Sequence, residues 1–235
     1  MLFRSIGKEG TKVKTKGLLK EVEVAKDLRE ANGVIVLSHV KGHDLAGYGG
    51  AIKNLGMGGV PAEEKGRIHD SSKPVLDLKK CVGCGLCAPL CINKAIKIIN
   101  GKMKIVGDCF GCGLCIRNCP QQALKPKLAL FPKLLTEAAC AVLKNFKKRK
   151  VIFVNVLEKI SKMCDCAKTS EIICPDIGIL VSDDVVAIEQ ASVDLINKKT
   201  GKDLFFQLHK ISPNEQIDEA EKLGLGERKY RLEKL

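Results

Sequence analysis

Eight cysteines recur in two copies of the spacing C-x2-C-x2-C-x3-C: Cys81, Cys84, Cys87 and Cys91, then Cys109, Cys112, Cys115 and Cys119. Three thiolates at C-x2-C-x2-C wrap one face of an iron–sulfur cubane through a tight turn, and glycines between them let backbone amides approach the sulfurs. Gly83, Gly85, Gly111 and Gly113 stand in those places. The fourth cysteine of each run lies beyond a helical turn and points away from the first three, so in a paired arrangement it ligates the other cluster. The spacing therefore predicts one 4Fe-4S cluster on Cys81, Cys84, Cys87 and Cys119, and a second on Cys109, Cys112, Cys115 and Cys91. Two clusters held close by shared loops make an electron path. Zinc is the competing metal, but its closed tetrahedra usually pair two short cysteine knuckles from separate loops, and consecutive four-cysteine runs suit cubanes better. A purely structural cluster is the other alternative, although a staple does not need two clusters side by side. Lys79 and Lys80, beside the first run, would raise its potential by stabilising the more negative reduced state.

Other chemistry-bearing residues follow apolar runs that read as strands. His39, Lys41, His43 and Asp44 come after residues 34–37. Cys164, Asp165 and Cys166 come after residues 151–157, and Asp183 and Asp184 after residues 177–181. Open parallel sheets gather their sites at strand carboxyl ends, so these loops are expected to converge. There Cys164 and Cys166 would supply an extra metal site. His39, Lys41, His43 and Asp183 are the catalytic candidates for positioning a substrate carbonyl or phosphate. The competing reading is structural: histidines bonded to loop backbone, buried thiols, and Asp183 as a helix cap. Cys140, on an apolar helical face, reads as core. Residues 47–59, GYGGAIKNLGMGG, with Lys53 nearby, would cradle an anion on backbone amides, but they match neither common nucleotide-binding glycine pattern.

The elements that must position these residues fall into three stretches. Val24, Leu28 and Ala31 at helical spacing predict a helix over 21–31. Residues 34–37 form a continuous apolar run of the kind buried on both faces of a parallel sheet. Leu45, Tyr48, Ile52 and Leu55 suggest a helix that the neighbouring glycines weaken. In the middle stretch a shift of 28 residues maps Cys81 onto Cys109 and Ala95 onto Ala123, which implies pseudo-two-fold symmetry, and short strands are expected at 75–78, 96–99 and 103–106. Beyond it, Phe131, Leu135, Ala138 and Val142 mark a helix that the basic run from Lys147 ends, followed by strands at 151–157 and 177–181 and a helix over 184–198. Ser212 and Glu215 read as a capping box for a last helix, closed by Gly224. Together these predict an α/β fold with a mostly parallel sheet, interrupted by an inserted α+β module. Residues 1–72 and 128–235 are the two parts of the α/β domain, and 73–127 the insertion.

The formal charge of +13 falls to roughly +9 once eight thiolates hold two oxidised clusters. There is no tryptophan and there are two tyrosines, and the lysines are scattered, which disfavours a nucleic-acid partner and suits an acidic redox partner protein. No apolar run approaches the roughly 20 residues of a membrane span, and the basic start has no apolar signal segment. Clustered cysteines without a secretion signal then point to the cytoplasm.

Residues 73–127 resemble the bacterial two-cluster ferredoxin module, with one departure: Pro120 follows Cys119, whereas Ile92 follows Cys91. The strings IVLSHVKGHDLAGYGGAIKNLGMGG, the two cysteine runs, MCDCAKTS and PDIGILVSDDVVAIEQASVDLIN, in that order, resemble the uncharacterised iron–sulfur centre protein family, domain of unknown function family 362. The resemblance runs from residue 22 to the C-terminus. It implies an α/β domain with an inserted ferredoxin-like two-cluster module, from an anaerobe or archaeon, and draws interest to His39, Lys41, His43, Cys164 and Cys166 without assigning them a role. Family members usually carry a longer N-terminal α/β portion, which leaves room for a partner chain to supply part of the sheet. The expected function is single-electron transfer between two 4Fe-4S clusters and a partner protein or bound substrate. The alternatives are a reductase with its own substrate or metal at the strand-end loops, and a nucleic-acid-binding cluster protein.

Overall fold

The computed structural model describes residues 9–147, 150–164 and 171–234. The chain starts with an antiparallel hairpin of β1 (Gly10–Lys14) and β2 (Glu21–Ala25), followed by the short α1 (Lys26–Glu30). The helix expected over 21–31 is therefore strand over 21–25 and helix only over 26–30. Val22 and Val24 are buried while Glu21 and Glu23 are not, so the alternation of period two prevails once β1 offers a partner.

Next come β3 (Val34–His39), β4 (Lys41–His43), β5 (Gly47–Gly49), α2 (Ala51–Gly58) and α3 (Ala62–Ser71). The cysteine-rich stretch holds β6 (Pro74–Leu76), β7 (Ile96–Ile99), β8 (Lys102–Ile105), α4 (Leu114–Arg117) and β9 (Leu124–Pro126). The remainder is α5 (Phe131–Leu143), β10 (Val151–Leu157), β11 (Gly178–Ser182), α6 (Val185–Thr200), α7 (Leu204–His209) and α8 (Asn214–Lys222).

The fold is mixed α/β with several small sheets. The largest has three strands in the order β11-β10-β3: β3 runs parallel to β10 with Val34 opposite Val151, and β11 runs antiparallel with Ser182 opposite Phe153. The expectation of a mostly parallel sheet is thus met by one pair, since the other sheets of the described residues are two-stranded and antiparallel. The reason lies in the return to β11. Ile177 N donates to Leu157 O at 2.9 Å, so the chain re-enters at the end where β10 stops and must run back along it. Helices α2 and α6 cover one face of this sheet, where Val36 and Phe153 are buried. Ile35, Leu37 and Val181 point to the other face and stay 72%, 64% and 66% exposed, so the run at 34–37 is covered on one side only.

The main core gathers around α5, whose Leu134, Leu135, Ala138 and Ala139 are fully buried. Gly56 of α2 lies against the Leu135 carbonyl, an approach that leaves no room for a Cβ. A second, smaller core contains Ile96, Met103, Ala123 and Leu124 together with Cys81 and Cys115. At α8 the expected capping box is replaced. Ser212 Oγ accepts from Asn214 N at 3.2 Å, while Glu215 takes Arg117 of the cysteine-rich stretch at 2.7 Å. No helix of the described residues is long and apolar enough to cross a membrane.

Candidate functional site

Two cavities lie among the cysteine runs. One is walled by Cys81, Cys84, Cys87 and Cys119, the other by Cys91, Cys109, Cys112 and Cys115. Each gathers three cysteines of one run and the fourth of the other. The thiols also affect one another's proton affinity in these sets. Burial pushes the Cys87 thiol up, and Cys84, Cys81 and Cys119 add to it. Burial, then Cys112, Cys109, Cys87 and Cys91, push Cys115 up to about 12. Because Cys87 belongs to the other set, the two sets are neighbours. Cys87 and Cys115, raised in this way, keep their protons until a cationic centre takes them as thiolates.

The backbone is shaped around these sulfurs. Gly83, Gly85, Gly111 and Gly113 have φ of 68°, 81°, 74° and 77°, the left-handed region that side chains resist. At Gly83 a Cβ would also collide with the carbonyl of Gly101. Ala95 N donates to Cys91 Sγ at 3.2 Å, and Ala123 N to Cys119 Sγ at 3.4 Å, equivalent contacts under the 28-residue repeat. Amide bonds from Met103 and Gly83 draw the Cys81 thiol below its usual range. Among the described residues no three His, Cys, Asp or Glu side chains are arranged about a single ion. A cubane takes one thiolate at each iron, so its ligands stand around a cavity rather than one point. The donor set, the amide-to-sulfur bonds and the glycine turns all fit a 4Fe-4S cluster in each cavity.

A larger cavity of about 670 Å³, a size usual for small-molecule sites, opens between the cysteine-rich stretch and the α/β body. Cys109 and Phe110 line it from one side, and His43, Lys53, His69, Phe131 and Cys164 from the other. A neighbouring cavity shares His43, Lys53 and Cys164 and adds His39 and Lys41. His43 closes β4. Its Nδ1 accepts from Leu45 N and Ala46 N, both at 3.2 Å, so the ring proton sits on Nε2. Burial first, then the charge of Lys53, His69 and His209, lowers its pKa to about 3, which keeps it neutral. The Phe131 ring stacks with His43, at 6.4 Å between centroids, and with His69, at 4.5 Å, both rings nearly parallel to it. His69, at the end of α3, donates from Nδ1 to Phe110 O at 3.1 Å, a direct tie to the residue after Cys109. Burial is also the main reason that its pKa is lowered, with Lys53 contributing.

Residues 3–194 match the family model described as Domain of unknown function (DUF362). The chain belongs to that family. Comparisons with curated proteins and with solved structures found no match. The DUF362 match stops within α6, so α7 and α8, which contribute His209 and Glu215, lie beyond it.

The strand-end residues of this DUF362 chain divide into two groups. His39, Lys41, His43 and Cys164 do meet, around the two adjoining cavities. His39 donates from Nε2 to Glu158 O at 2.7 Å and accepts from Lys41 Nζ at 2.8 Å, which joins the ends of β3 and β10. Asp183 does not join them. Antiparallel β11 carries it to the opposite end of the sheet, where it is exposed, and Asp184 is the helix cap, accepting from Val186 N and Ala187 N. Asp165 and Cys166 lie outside the described residues, so the Cys164–Cys166 metal site is not described. Cys140 and Cys174 are buried away from both cavities.

The glycine-rich stretch is not an open amide cradle. Residues 47–49 are β5, and the first amide of α2, Ala51 N, donates to the buried carboxylate of Glu189 at 2.6 Å. The residues that sequence reasoning overlooked are His69, Phe110, Phe131 and His209. His209 bonds Lys162 O at 3.0 Å and faces Asp44 at 3.2 Å. Its helix is far from β4 in the chain, and only the packing brings them together.

Proposed function

We propose that this chain is an iron–sulfur protein carrying two 4Fe-4S clusters, one on Cys81, Cys84, Cys87 and Cys119 and one on Cys109, Cys112, Cys115 and Cys91. It passes single electrons to or from a partner protein or a bound substrate. Residues 73–127 are the ferredoxin-like insertion, with 1–72 and 128–235 the two parts of the α/β domain. The observation that carries this reading is the sorting of the cysteines around two adjacent cavities, three from one run and one from the other in each. When bound, the clusters supply one-electron chemistry, and the chain supplies the thiolates, amide bonds to sulfur and a choice of routes. The first set opens to the surface through exposed Cys84, flanked by exposed Val82 and Leu86, which suits docking of a redox partner. Exposed Lys79 and Lys80 beside it favour an acidic one. Anaerobic reconstitution should give a 4Fe-4S absorption spectrum that dithionite bleaches and air restores. A spectrum that dithionite leaves unchanged would remove the electron-transfer role.

A second reading, a reductase with its own substrate, is favoured by the cavity that Cys109 and Phe110 share with His43, Lys53 and His69. A substrate there would sit beside the second cluster, within reach of the Nε2–H of His43. On this reading His43→Ala abolishes substrate-dependent reoxidation of the reduced clusters and leaves their spectrum intact. Equal reoxidation in the variant would count against it.

A further inference from the structure

We propose that the cavity between the cysteine-rich stretch and the α/β body binds a small organic carboxylate, its charged end against Lys53 and the Nε2–H of His43 and its apolar body against Ile92, Ile105 and Phe110. The assignment rests on reading this cavity as a substrate site and names the class of substrate.

Lys53 carries the argument. It sits half-buried on α2, lines both adjoining cavities, and among the described residues has no hydrogen bond or ion pair. Its charge is nonetheless felt at His43 and His69. An ammonium withdrawn in part from water and left without a counter-ion favours an anion beside it. The acids of the cavity are committed elsewhere or peripheral. Asp44 faces His209, Asp70 holds Lys127 and Lys73, and Asp108 stands on the exposed rim. His43 adds a donor, because Leu45 N and Ala46 N occupy its Nδ1 and leave Nε2 to carry the proton.

Two features select a carboxylate over a phosphate. Phosphate sites draw on several backbone amides at a helix start, and here Glu189 already takes the first amide of α2. The opposite wall is apolar: Ile92, Ile105 and Phe110 stay 41%, 39% and 45% exposed and face this cavity, which suits a flat or branched hydrocarbon rather than a hydrated inorganic ion.

Calorimetric titration of the full, cluster-loaded chain with benzoate, benzamide and inorganic phosphate tests the proposal. Benzoate should bind saturably, with benzamide and phosphate each weaker by about tenfold or more, a difference of about 1.4 kcal/mol. Lys53→Met should weaken benzoate by about tenfold or more and Lys53→Arg should recover most of it, in samples with wild-type iron content and thermal midpoint. Benzamide or phosphate binding as tightly as benzoate would overturn the carboxylate assignment and leave the cavity a substrate site. Binding by none of the three would overturn both. Unchanged benzoate affinity in Lys53→Met would also overturn the proposal.

Discussion

If Cys119 serves the first cluster and Cys91 the second, paired substitutions should separate cleanly. Cys84→Ala with Cys119→Ala removes two ligands from one cavity and none from the other. Cys84→Ala with Cys91→Ala removes one from each. Two 4Fe-4S clusters hold about eight irons per chain, so the first variant should retain one intact cluster of about four and the second no intact cluster. Ligation within each run predicts the reverse assignment of the two variants. The comparison is well matched. Cys84 is exposed and common to both, and Cys91 and Cys119 are similarly half-buried and accept equivalent amide bonds from Ala95 and Ala123. Iron and sulfide analysis after anaerobic reconstitution, with electron paramagnetic resonance of the dithionite-reduced samples, reads the outcome. One intact cluster in the Cys84/Cys91 variant and none in the Cys84/Cys119 variant would refute the cross-pairing.

Three further outcomes follow from the body of the fold. His43 has a folded-state pKa of about 3 against an ordinary value near 6.5, so its stabilising effect is present above pH ~6.5 and is lost as pH falls toward 3. Lowering the pH from 7 to 5 should cost about 2 kcal/mol in the wild type beyond any loss in His43→Gln, measured by guanidinium unfolding, and equal losses would refute the assignment. Burial holds the Glu189 carboxyl above its usual range, so its contribution is full below pH ~4.3 and lost as pH rises. Glu189→Gln should therefore gain on the wild type between pH 4 and pH 8 in the same assay, whereas Glu189→Ala orphans Ala51 N at about 1–3 kcal/mol and leaves Asn155 Nδ2 only its bond to Ser192 Oγ. Gly56→Ala should destabilise by about 1–3 kcal/mol by forcing α2 from α5, whereas Gly66→Ala, with open space around it on α3, should gain about 0.5–1 kcal/mol; a reversed order in thermal midpoints would contradict the packing.

Much of the secondary structure was legible from local pattern. The strand at 151–157 and the helix through Phe131 and Val142 follow from apolar spacing, because a short apolar run and a broad helical face each leave a signature within a few residues. The stretch 21–25 misled, since Val24 fits helical spacing with Leu28 and Ala31 as well as alternation with Val22, and β1 pairs with it. Strand direction was not legible at all. Residues 177–181 read as a strand in either orientation, and only the return contact between Ile177 and Leu157 makes β11 antiparallel and takes Asp183 away from the other strand-end residues.

The sequence by itself determined the eight-cysteine pattern, its 28-residue repeat and the glycines between, because a tight turn that gathers thiols writes them and its backbone freedom into adjacent positions. What only the tertiary structure decided is what stands next to that pattern. His69 reaching Phe110, Phe131 stacked with two histidines, and Lys53 lining two cavities with no counter-ion among the described residues come from elements far apart in the chain. Such a site depends on how faces pack, and packing leaves no local spacing to read.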